Sequence, residues 1–163
     1  PQDPLDPVLF SGIPLAGSQR LCQLDQGNCA SYRQNAQRFN GRWKKAEAGW
    51  AQRMKPLKGQ KVVQYHRLHD YFLGHYGLTS INTLEPLPGI PPTPQHLNNL
   101  IQQVNNENVK WNLRCVYQPS GPSQTVSSRT QAKLLTLPHD VNAVPAAKDL
   151  FGLYEAMVQG FGV

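Results

Sequence analysis

Residues 61–84 read KVVQYHRLHDYFLGHYGLTSINTL. Lys61–His66 carries the adjacent β-branched residues Val62 and Val63 and reads as a strand. Leu68–Tyr76 reads as a short helix, with Gly77 placed to end it. Ser80–Leu84 is again strand-like. A strand, a helix and a second strand in so short a span predict a crossover unit, in which the two strands run parallel.

The same alternation continues downstream. Leu87–Pro94 (LPGIPPTP) holds four prolines and cannot be regular structure, because each proline removes an amide donor and fixes φ. Thr93 is placed to cap the next helix, with Pro94 at its first position. That helix extends to about Asn106, with Leu97, Leu100, Ile101 and Val104 on one face. Val109–Tyr117 reads as a third strand, Ser123–Thr130 as a weak helix, Ala132–Leu137 as a fourth strand and Lys148–Phe161 as a closing amphipathic helix. The predicted class is α/β: a four-stranded, mainly parallel sheet with helices on both faces. Ligands of such sheets sit beyond the carboxyl ends of the strands. Two of those ends carry chemistry, Tyr65-His66 and Pro138-His139-Asp140.

Upstream, Tyr32, Ala36, Phe39, Trp43, Ala46, Trp50 and Met54 recur at spacings of four and three. They form one stripe of a long helix, Cys29–Met54, which is read as core. Pro56 and Gly59 end it. Residues 1–19 are rich in Pro and Gly without firm periodicity, and Gly12 and Pro14 interrupt a helix there. Gln19–Leu24 reads as the last turn or two of a helix, and Asp25–Asn28 as a turn. The predicted organisation is an irregular segment with a short helix over 1–28, a long connecting helix over 29–58, and an α/β unit over 59–163.

The 163 residues suffice for one ordinary domain, and a 39% hydrophobic fraction supplies a core. No apolar run is long enough to cross a bilayer, so no membrane span is expected. The net charge of +6 is concentrated: residues 20–61 hold ten of the sixteen Lys and Arg, against the acids Asp25 and Glu47. These charges fall on the outer face of one helix with no nucleic-acid motif beside them, so no nucleic-acid partner is expected. The chain opens PQDPLDPVLF, without a signal peptide, and reads as a processed product or an excised piece. No nucleophile elbow, P-loop, GxGxxG or HExxH is present, which argues against an enzyme. Cys115 in a strand reads as an inert thiol. Cys22 and Cys29 would lie about 10 Å apart along one helix, too far for a disulfide. Across a turn between two helices they could meet; two free thiols are the other reading.

The stretches VVQYHRLHDYFLGHYGL, LEPLPGIPPTPQHL and AKLLTLPHDVNAVPAAKDLFGLYEAMV resemble the C-terminal half of the zinc/manganese-type metal-binding solute-binding proteins of ABC transporters. Order and spacing fit from about Leu21 to Val158, which is most of this chain and about half of a family member. The resemblance implies two α/β lobes joined by a rigid helix, with the metal held between them. Cys29–Met54 would be that inter-lobe helix and residues 59–163 the C-terminal lobe; the N-terminal lobe would be missing. It further implies a periplasmic location, a membrane permease as partner, and a compartment in which a Cys22–Cys29 disulfide could form.

The family binds its metal through two or three histidines and a carboxylate, a donor set suited to Zn2+, with Mn2+ the second choice. His66 stands where the family's strand-end motif has its third ligand. The second ligand lies in a Pro-His segment before Leu-Asp-Pro; Leu5-Asp6-Pro7 matches, but the histidine position holds Gln2, a poor zinc ligand. The fourth is an Asp after the last strand, where this chain has Pro138. The adjacent His139 and Asp140 are the substitutes. A strand-end Glu of relatives is Cys115 here. The implied metal residues are therefore His66, His139 and Asp140. His69 could share a helical face with His66 but is read as a surface residue, and His75 and His96 are given no role. The implied function is zinc capture for a permease, weak in the isolated lobe. The alternatives are a degenerate relative that binds no metal and acts as an interaction module, and a redox or ligand-binding α/β domain using Cys115.

Overall fold

The computed structural model describes residue 7 and residues 9–163. Two helices come first, α1 (Leu9–Leu24) and α2 (Cys29–Met54), joined through a short 3-10 turn. The stripe read from the sequence is buried at Ala36, Trp43, Trp50 and Met54. The α1 helix is a correction, because it continues through Gly12 and Pro14 where a break was expected. A proline inside a helix forfeits one rung of the ladder and costs about 3 kcal/mol. Tertiary packing offsets this cost. Phe10 packs tilted against Trp43 and edge-on to Tyr154, with ring centres 5.1 and 6.0 Å apart. At the other end, a disulfide joins Cys22 to Cys29 with Cα atoms 4.5 Å apart. Gln2, Leu5 and Asp6 of the N-terminal family match lie outside the described residues.

The rest alternates strictly. Strand β1 (Lys61–Gln64) is followed by α3 (Asp70–His75), β2 (Thr79–Thr83), α4 (Pro94–Asn106), β3 (Trp111–Cys115), α5 (Ser120–Ser128), β4 (Lys133–Leu137) and α6 (Leu150–Gly160). The four strands among the described residues are all parallel, in the order β2-β1-β3-β4. Side-chain alternation splits the core. Val62, Leu113, Leu135 and Leu137 face α2, α3 and α6 in an aromatic-rich layer. Val63 faces the opposite way and packs with Leu100, Ile101, Val104 and Val126 of α4 and α5.

Two local features fix the connection after β2. Leu87-Pro88-Gly89-Ile90 closes a turn with the Ile90 amide donating to the Leu87 carbonyl at 3.0 Å. Gly89 has φ +79°, the left-handed conformation required at the third position of a type II turn. Thr93 then caps α4, its hydroxyl accepting from the His96 amide, with Pro94 in the first turn. Among the described residues, no helix is long and apolar enough to cross a membrane.

Candidate functional site

Parallel strands point their carboxyl ends the same way, so the residues just past each strand share one edge. In sheet order these are Glu85 after β2, His66 after β1, Tyr117 after β3 and His139 after β4. Residues far apart in the chain thereby form a row.

His66 is the centre of the best-defined part of this row. Its Nδ1 lies 2.8 Å from Glu85 Oε2. The Glu85 backbone is held in turn: its amide donates to the Tyr65 carbonyl and its carbonyl accepts from the Thr83 hydroxyl. A carboxylate accepts, so Nδ1 carries a proton and donates it to Glu85. Among the described residues, Nε2 makes no hydrogen bond. Metal-binding histidines are ordinarily oriented by such a carboxylate on the opposite ring nitrogen. The His66 side chain is 31% exposed and Glu85 17%, so the pair is reachable without lying open to bulk water. With Tyr65, Gly89, Pro91, Tyr117 and Gln118 they line a cavity of about 400 Å³. Burial, and secondarily the Glu85 charge, push the Tyr65 phenol upward, so it remains neutral.

The far end of the row is built differently. The His139 ring packs edge-on to Tyr117 at 4.6 Å, and among the described residues its buried Nδ1 has no hydrogen-bond partner. Asp140 is exposed, and its Oδ1 accepts from the Val141 amide at 2.7 Å. The structure therefore joins His66 to Glu85 and His139 to Tyr117. Among the described residues, it gathers no cluster of three or more His, Cys, Asp or Glu able to hold a metal ion.

Two readings change. His69 is not on the surface: it is 1% exposed and its Nε2 donates to the Pro138 carbonyl at 3.2 Å. Because β1 ends at Gln64, the next residues turn inward and carry position 69 beneath the edge. Glu85, which the sequence reading passed over, is the immediate partner of His66. Its signal was its position directly after a strand, at the head of the proline-rich loop. His75 pairs with Glu47 at 2.9 Å, and His96 donates to the Thr83 carbonyl. Cys115 is a free, buried thiol pushed up to about 12 by burial, so no thiolate is available for redox chemistry. A second groove, about 630 Å³ between α2 and α6, is floored by Trp50 and Phe151; its acid, Glu155, is paired with Arg53.

The family model described as "Zinc-uptake complex component A periplasmic" matches residues 5–161. A high-affinity zinc uptake system protein ZnuA of Yersinia pestis is 26% identical over 113 residues, 69% of this chain and 34% of that protein. A crystal structure of ZnuA superposes with a TM-score of 0.79 at 23% identity, over 96% of this chain and 58% of that one. The solute-binding protein FpvC of Pseudomonas aeruginosa, solved with Mn2+, gives a TM-score of 0.67 at 26% identity, over 87% of this chain and 53% of that one. The chain thus spans between about a third and three-fifths of the length of these relatives.

Proposed function

This chain belongs to the periplasmic zinc-uptake component A family, a family of solute-binding proteins rather than enzymes, and on that premise we propose that it captures a divalent metal ion, zinc before manganese, for delivery to an ABC permease. In this reading residues 59–163 are the C-terminal lobe, α2 is the inter-lobe helix, and an N-terminal lobe closes the cleft. The protein works outside the cytoplasm, where the Cys22–Cys29 disulfide persists.

One observation carries the reading: a strand-end imidazole with one nitrogen fixed by a carboxylate at 2.8 Å and the other unoccupied, beside a cavity of about 400 Å³. His66 Nε2 is the first ligand. Glu85 is its orienting base, raising the donor strength of the ring. His139 and Asp140 complete this half of the donor set from the far side of Tyr117. Two imidazoles and a carboxylate, without thiolate, suit a borderline ion such as Zn2+ over the harder Mn2+. With the remaining donors outside this chain, water fills the open positions and affinity is modest.

Titration calorimetry with zinc tests this on the chain and on His66→Ala. The expected result is a binding heat that the substitution removes; equal heats take His66 out of the site. A second reading is a relative that no longer binds metal. It is favoured by Pro138 at a ligand position and by the absence of a three-donor cluster among the described residues. No zinc heat in either protein selects it.

A further inference from the structure

A buried polar chain runs beneath the row of strand ends. Gln64, at the end of a central strand, is 1% exposed. A buried amide is costly unless its oxygen and its two N–H groups are bonded. Its Oε1 accepts from the His69 amide at 3.1 Å, and its Nε2 donates to Asp70 Oδ1 and Ser80 Oγ. The polar network thus fixes where the chain turns after β1. His69 extends it, its Nε2–H donating to the Pro138 carbonyl at 3.2 Å across 69 residues of sequence.

The position of that last bond matters. Strands β1 and β4 are not neighbours, because β3 lies between them. The sheet's own hydrogen bonds give no direct link between the loop after β1 and the loop after β4. The His69–Pro138 bond supplies one. It begins three residues after His66 and lands on the residue before His139. His69 is 1% exposed, so this bond lies within the fold. An apolar side chain at position 69 could not give the Pro138 carbonyl a proton.

We infer that His69 is a positioning residue that locks the loop carrying His66 to the loop carrying His139 and Asp140, holding the two imidazoles at a fixed separation across the end of β3. The inference rests on the reading of His66 as a metal donor. Sites assembled from two loops lose affinity when either loop drifts, and groups supporting metal ligands typically carry about 10–100-fold in affinity.

The test compares the wild-type chain with His69→Leu and His69→Gln, whose amide nitrogen reaches close to the position of Nε2. Zinc affinity is read by competition with a chromophoric chelator. Backbone amide shifts at 66 and 139–141 are read by NMR without metal. The expected result is a zinc dissociation constant raised about tenfold or more in His69→Leu and largely restored in His69→Gln. In the metal-free Leu variant, the amides of both loops shift together. A folded His69→Leu that binds zinc like the wild type, or shifts confined to residues 64–73, overturns the inference. Should His69→Leu not fold, the wild-type ring decides: an Nε2–H tautomer at His69 upholds the latch, and an Nδ1–H tautomer refutes it. A wild-type chain that binds no zinc refutes the donor reading of His66 instead, while the metal-free shifts still judge the latch.

Discussion

The aromatic layer beneath α2 and α6 and the carboxyl edge of the sheet use rings in opposite ways. In the layer, Trp43 meets Phe10, Phe39, Trp50, Phe151 and Tyr154, all with ring centres within 6.0 Å. Its indole N–H is also bonded, to the Pro7 carbonyl at 3.1 Å. At the edge, the rings are held by single contacts: His66 by Glu85, His139 by Tyr117. Among the described residues, each keeps a nitrogen without a hydrogen-bond partner. The layer is redundant and closed; the edge is sparse and keeps donors spare. The contrast separates residues that hold the molecule together from residues left able to hold something else.

The contrast is most exposed to failure at Trp43. Trp43→Ala should cost about 3–5 kcal/mol in denaturant unfolding, while the folded fraction keeps its zinc heat. A loss under about 0.5 kcal/mol, the range of ordinary surface substitutions, would deny the layer its role. Next in size is the disulfide. Replacing Cys22 and Cys29 by Ser should lower stability by about 2–3 kcal/mol, the chain-entropy value for so short a loop. Zinc affinity should not change, since neither cysteine lies at the sheet edge.

Glu85→Gln sharpens the other side of the comparison. It should weaken zinc about tenfold, or about 1.4 kcal/mol, with the unfolding midpoint unmoved; a chelator competition reads the first and a denaturant titration the second. The smallest effect belongs to Glu155. Burial alone would raise its carboxyl, but hydrogen bonds from Arg53, Trp50 and Gln159 outweigh that and hold it below the ordinary 4.5. A depressed carboxyl stabilises above its unfolded value, and the gain is lost as pH falls through the folded one. Because the pair is more than a third exposed, the gain at neutral pH should stay under about 1 kcal/mol. The melting difference between wild type and Glu155→Gln should therefore shrink once pH drops below 4.5.

Much of this architecture was legible from residue spacing. The α2 helix begins at Cys29 and ends at Met54 as read, because a seven-residue stripe with Pro56 behind it leaves little freedom. The strands fell within a residue or two at most ends, since Gly, Pro and β-branched runs mark them. Helix α1 was missed because Pro14 speaks locally, whereas Trp43 and the disulfide act from distant positions. The position of His66 at the carboxyl edge was legible from its place after a strand. Glu85 and the burial of His69 were not, because both depend on which strands become neighbours, and the order β2-β1-β3-β4 is a property of the assembled sheet.

The length of α2 has a mechanical consequence. Its 26 residues extend about 39 Å, more than twice the span of a five-residue strand. Trp50 and Met54 anchor one end in the core, while the other end carries Cys29. Trp43 holds the middle of the helix in the same layer, so a tilt of about 5° there would swing Cys29, about 21 Å away, through about 2 Å. The covalent link to Cys22 obliges α1 to follow, so the hairpin behaves as one stiff lever whose fulcrum is the aromatic layer.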